Sequence, residues 1–95
     1  MINLIHRYFG AGWLGRVMVC IARAESGLNP RAYNRADWYG GSYGLMQVNA
    51  IWRHRGESVR AFEVRMRNPY VNLSTARDIY RRQGIRAWAT ASRCT

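Results

Sequence analysis

The sequence predicts a small, mainly α domain carrying one irregular aromatic loop or short hairpin. Three observations predict it. The chain is 95 residues long, enough for a single domain, residues 1–95, around one small core. Its 48% hydrophobic and 13% aromatic content argues against disorder. Apolar residues recur at helical spacing along most of the chain, while Gly, Pro and aromatic residues gather between positions 27 and 43.

The elements follow in order. A first helix is expected over residues 2–9, broken by Gly10 and Gly12. The clearest helix runs from Trp13 to Ser26, with Trp13, Leu14, Val17, Met18, Ile21 and Ala24 recurring at helical spacing. Gly27 supplies its stop, and Pro30 follows. Residues 27–43 hold Tyr33, Trp38, Tyr39 and Tyr43 among glycines, the composition of a binding loop or short hairpin. The next helix is expected from about Gly44 to Arg55, with Leu45, Val48, Ile51 and Trp52 inward and Gly56 ending it. Ser58 caps another, with Val59, Phe62 and Met66 on one face, before Asn68-Pro69. A further helix covers about Leu73 to Gln83, with Ala76, Ile79 and Tyr80 inward and Gly84 as its stop. A short helical turn around Trp88 closes the chain, and little or no sheet is expected.

The net charge is +10, and every basic residue other than histidine is Arg. Such a chain is drawn to polyanions: nucleic acid, anionic lipid or an acidic cell wall. The arginines are scattered, and no nucleic-acid-reading motif is present, so specific nucleic-acid binding is not expected. No apolar run approaches the roughly 20 residues of a membrane span. The start of the chain lacks a basic segment followed by a long apolar one, so no signal peptide is expected. Cys20 and Cys94 lie near opposite ends of the helical region. They either form a disulfide that ties the long helix to the chain end, or Cys20 is a buried free thiol. His6 and His54 stand alone, so neither a metal site nor a cofactor is expected.

Carboxylates are scarce, five in all, and Glu25 is the one placed for chemistry. At about 100° per residue it shares a stripe with Leu14, Met18 and Ile21. Burial and the negative end of the helix both favour its protonated form, the state a general acid needs. The same placement also suits a Glu that caps a loop or pairs with Arg23 or Arg31. Farther on, Gln47 and Asn49 offer side-chain amides, which both donate and accept hydrogen bonds as sugars require.

Three blocks in order carry a resemblance: Glu25-Ser26 with Asn29-Pro30, then Gly44-Leu45-Met46-Gln47-Val48, then Asn68-Pro69 with Asn72-Leu73. This pattern resembles the lysozyme-like domain of lytic transglycosylases and goose-type lysozymes. Tyr80 to Trp88 is similar to the way phage and actinobacterial wall enzymes of this kind end. The resemblance implies a lysozyme-like helical fold and a peptidoglycan substrate. It implies that Glu25 protonates the oxygen between N-acetylmuramic acid and N-acetylglucosamine, with Gln47 binding the sugar beside it. It places Asn34 and Asn49 in the same cleft, Asn49 where goose-type lysozymes carry an Asp. Ser26 is expected to bond backbone at the helix end. Tyr33, Tyr43, Trp52 and Trp88 are candidates for sugar stacking, with core packing favoured for Trp52.

Two reactions are then open. Hydrolysis needs a second carboxylate, and Asp37 is the candidate if it reaches the cleft. Lytic transglycosylases need none, because the sugar's own 6-hydroxyl attacks, and Asn49 in place of Asp favours that route. The family's late Ala-Tyr-Asn-Ala-Gly block is missing, and Ala87-Trp88-Ala89-Thr90-Ala91-Ser92 stands in its place. A non-catalytic wall-binding module is the remaining alternative. The chain is expected to act on the cell wall as a monomer. It would arrive there by lysis, on a virion, or as a trimmed domain of a larger protein.

Overall fold

Apolar stripes decide which helix faces pair. The computed structural model describes all residues, Met1–Thr95. Helix α1 (Ile2–Phe9) buries Ile5 and Phe9, and α2 (Trp13–Ser26) buries Val17, Met18, Ile21 and Ala22. The two pack together where Gly15 lies directly against the Gly10 carbonyl, a spacing that leaves no room for a Cβ. Trp13 and Ala24 fall outside the buried face and are exposed, against the sequence expectation. Gly27, with φ 63°, ends α2 in the left-handed region that glycine adopts without strain.

Residues 27–43 form a hairpin rather than an open loop. Strand β1 (Tyr33–Asn34) pairs antiparallel with β2 (Ser42–Tyr43), and β2 pairs with β3 (Val48–Asn49). The small sheet therefore has the order β1-β2-β3. A short 3-10 turn, Trp38–Gly40, links β1 to β2.

The helix expected from Gly44 to Arg55 does not form. Gly44 has φ 82° and Gln47 φ 50°, so the chain twice leaves the right-handed region within four residues. Residues 44–47 instead make the β2–β3 turn, closed by the Gln47 N–H on the Gly44 carbonyl at 3.1 Å. A single 3-10 turn, Ala50–Trp52, follows β3. The spacing of Leu45, Val48 and Trp52 looked helical because a turn and a strand also returned those side chains inward. Ile51 is exposed.

The next two helices follow their caps. Ser58 accepts the Ala61 N–H and opens α3 (Val59–Met66), which buries Phe62, Glu63 and Met66. Helix α4 (Pro69–Gln83) starts a turn earlier than Leu73, because Asn68 caps it and Pro69 occupies its first position. It buries Asn72, Leu73, Ala76 and Ile79. Phe9 meets Tyr80 edge-on at 6.2 Å, and the Arg77 guanidinium lies 5.1 Å from the Tyr8 ring, so α1 and α4 are joined at two points. A 3-10 turn, Ile85–Ala87, leads to Trp88 and to the four-residue α5 (Ala91–Cys94). The core is one cluster of 18 residues drawn from every helix and from the sheet. No helix is long and apolar enough to cross a membrane.

Cys20 and Cys94 form a disulfide, with Cα atoms 5.7 Å apart, so α2 is tied covalently to α5. Closing so long a loop removes much of the unfolded chain's freedom, about 4 kcal/mol in the loop-entropy model. Cys20→Ser combined with Cys94→Ser is expected to lower Tm by roughly 15 °C or more in a domain of this size, read by circular dichroism. A change of only a few degrees would show that the bridge adds little.

Two carboxylates of the α3 region are held by arginine. Arg65 donates twice to Glu57, with both distances 2.9 Å. These bonds hold the Glu57 carboxyl down at about 2. Burial pushes the Glu63 carboxyl up, but hydrogen bonds from Arg67 and Arg35 outweigh it and leave it below the ordinary range. A carboxyl depressed in the folded state stabilises the fold fully above its unfolded pKa, near 4.5, and loses that contribution as pH falls toward about 2. Thermal stability is therefore expected to drop between pH 4.5 and 2. Glu57→Gln should flatten that drop, with a loss of roughly 5 °C at pH 7. An unchanged acid profile in the variant would contradict the assignment.

Candidate active site

The site is built outward from one turn whose backbone is held by side chains from three other elements. Asn72, fully buried on α4, donates to the carbonyls of Tyr43 at 3.0 Å and Met66 at 3.2 Å. Its Oδ1 accepts the Met46 N–H at 3.0 Å. Ser26, at the end of α2, donates to the Leu45 carbonyl at 2.6 Å. Trp88 donates from its indole nitrogen to the Met46 carbonyl at 2.8 Å. Gly44 packs so tightly on Asn72 and the Met66 carbonyl that no Cβ fits there. The motifs Glu-Ser, Gly-Leu-Met-Gln and Asn-Pro…Asn thus meet through backbone hydrogen bonds made by Ser26 and Asn72.

This turn sets Gln47 at the edge of a cleft of about 230 Å3. Glu25 enters from the last turn of α2. Asp37 comes from the β1–β2 connection, Ser42, Val48 and Asn49 from the sheet, and Trp52 from the turn after it. Ile79 and Gln83 come from α4, and Ala87, Trp88 and Ala89 from the C-terminal segment. No arginine lines the cleft, although the chain carries fifteen.

Glu25 is half-buried, and its Oε2 accepts the Thr90 hydroxyl at 2.9 Å. No arginine pairs with it, neither Arg23 nor Arg31. Asp37 does reach the cleft. One of its oxygens accepts the Trp38 N–H at 2.9 Å and the other the Ser42 hydroxyl at 2.6 Å. Asn49 is used by its own surroundings: it donates to the Trp38 carbonyl and to Ser42 Oγ, and accepts the Ile51 N–H. Gln47 donates from Nε2 to the Gly44 carbonyl at 3.0 Å, which leaves its Oε1 free to accept. Trp88 lines the cleft but is only 6% exposed. Trp52 is half-buried and borders the cleft as well as the core.

Three candidates lie elsewhere. Tyr43 is 2% exposed, meets Phe62 edge-on at 6.2 Å and donates its hydroxyl to the Gly40 carbonyl at 2.6 Å. Burial pushes its phenol up, and no ring face is free for a sugar. Tyr33 is exposed outside the cleft wall, with Arg35 stacked 4.1 Å from its ring. Asn34 is exposed and accepts the Ala36 N–H at the β1 turn. Both precede the turn that faces the cleft. Ser42, Gln83 and Thr90 belong to the site's surroundings without having been singled out. Only Thr90 had a signal, as one of the two hydroxyls, with Ser92, in the block that replaces the missing late Tyr. No three His, Cys, Asp or Glu side chains converge on a point where a metal ion could be held.

A mainly α domain with a three-stranded sheet and a carboxylate-bearing cleft at the end of its long helix is the architecture of lysozyme-like proteins. The family model described as a lysozyme like domain matches residues 9–90, and the chain belongs to that family. No curated protein and no solved structure matches it. Family membership points to glycosidase action on peptidoglycan.

Asn72→Ala removes three hydrogen bonds, leaving the Met46 N–H without its side-chain partner and taking a donor from the Tyr43 and Met66 carbonyls. It is expected to cost about 3 kcal/mol, read by denaturant unfolding. Asn72→Asp should cost at least as much, because a carboxylate would face two carbonyls. A loss below roughly 1 kcal/mol in both would remove Asn72 from this role.

Proposed function

We propose that the protein cleaves the β-1,4 bond between N-acetylmuramic acid and N-acetylglucosamine, with Glu25 as general acid, as a lytic transglycosylase. The observation that carries this reading is the state of the cleft carboxylates. Glu25 has a single partner, the Thr90 hydroxyl on Oε2, and its Oε1 is free to hold a proton toward the scissile oxygen. Asp37 has both oxygens engaged, and Asn49 presents an amide already committed to its neighbours. Glu25 protonates the leaving oxygen. The 6-hydroxyl of the muramic sugar attacks the anomeric carbon, and Glu25 takes up the proton that hydroxyl loses. The product carries a 1,6-anhydro ring and one water fewer than a hydrolysed end. Gln47 Oε1 accepts from a sugar hydroxyl or N-acetyl N–H beside the reacting bond. Neither a metal nor a cofactor enters this chemistry. The net charge of +10 favours approach to an anionic wall.

A second reading is hydrolysis, because Asp37 lines the same cleft as Glu25. There Asp37 would activate a water on the opposite face of the sugar ring.

Glu25→Gln is expected to reduce clearing of purified sacculi by at least about a hundredfold. Equal clearing by the variant and the wild type would reject Glu25 as the acid, and no clearing by either would leave a wall-binding module as the reading. Mass analysis of released muropeptides should find anhydro ends. Asp37→Asn should keep activity within a few-fold for a transglycosylase and abolish it for a muramidase.

A further inference from the structure

Two links join the catalytic helix to the C-terminal segment. One is covalent, Cys20 to Cys94, and the other is the hydrogen bond from Thr90 to Glu25. Along α2 the two attachment points are five residues apart, a rise of about 7.5 Å. Along the C-terminal segment they are four apart and reversed in order, a rise of about 6 Å if helical. The segment therefore runs antiparallel to the end of α2, with the links matched in spacing like two rungs.

The segment has little means of holding itself. Helix α5 has four residues, far below the length at which a helix persists alone. Its N-terminal side carries no side-chain cap. What fixes it is the bridge at one end, Ala91 buried in the core, and Trp88, bonded to the Met46 carbonyl, at the other. Thr90 lies between these anchors, 9% exposed. Its hydroxyl has one hydrogen bond in the structure, and it goes to Glu25.

We propose that Thr90 is the positioning residue of Glu25, and that the Cys20–Cys94 bridge keeps it in place. The proposal rests on the reading of Glu25 as the catalytic acid. Thr90 occupies one carboxylate oxygen and fixes the rotation of the group, so that the other oxygen faces the cleft. The segment that departs from the family's pattern thus supplies its own hydroxyl to the acid. Opening the bridge frees the segment on the C-terminal side of Thr90, and Glu25 then loses its orienting partner.

The test compares wild type, Thr90→Val, Thr90→Ser and Glu25→Gln on soluble glycan oligomers, at a temperature well below the melting transition. Thr90→Val is expected to lower kcat roughly ten- to a hundredfold with KM within about twofold, and Thr90→Ser to restore most of it. Thr90→Ala replaces the Val variant if Val does not fold. Each protein is also assayed after a dithiol has reduced the disulfide to two thiols, itself becoming a disulfide. Reduction should lower wild-type kcat toward that of Thr90→Val and change the Val variant little. Wild-type kcat in Thr90→Val, or a Ser variant as impaired as Val, overturns the role of Thr90. Reduction that leaves wild type unchanged, or lowers both proteins by one factor, overturns the role of the bridge. Full activity in Glu25→Gln instead overturns the functional reading beneath them.

Discussion

Everything at the site depends on the satisfied backbone of the turn after β2. Four consecutive residues, Tyr43 to Met46, are buried. Buried peptide groups need partners, and the left-handed geometry of Gly44 and Gln47 denies them helical ones. Asn72, Ser26 and Trp88 supply those partners from α4, α2 and the C-terminal segment. The same bonds that satisfy the turn therefore set the relative positions of the helix bearing Glu25, the turn bearing Gln47 and the wall formed around Trp88. An error in one would displace all three.

Charge is distributed with equal consequence. The protein has fifteen arginines and five carboxylates. Glu57 and Glu63, the two carboxylates of the α3 region, are spent on arginine pairs that stabilise the fold. Glu25 and Asp37 sit in a cleft that no arginine lines. An arginine beside Glu25 would hold it ionised and unable to deliver a proton. Its hydroxyl partner, Thr90, orients the group without adding a positive charge.

Much of this was legible from residues alone. The stops at Gly27 and Gly84, the Ser58 cap and the apolar stripes of α2, α3 and α4 are local signals, and the structure follows them. Glu25 at the end of α2 was legible for the same reason. The run from Gly44 to Arg55 was misread because its apolar spacing fits a helix while its glycine and tertiary bonds demand a turn. Tyr43 was misread as a sugar platform because nothing local distinguishes an aromatic ring that fills the core from one that faces solvent. The disulfide and the free thiol were equally compatible with the spacing of Cys20 and Cys94, and only the approach of α5 to α2 decides between them.

The sequence by itself determined the helical class, the order of the motifs and the family they mark, because periodicity, caps and short motifs are properties of neighbouring residues. The tertiary structure alone decided that Asp37 shares the cleft with Glu25, that Asn49 is committed to its own loop, and that Thr90 reaches the Glu25 carboxylate. Thr90 lies 65 positions from Glu25, so only the closure of the fold could bring the two together.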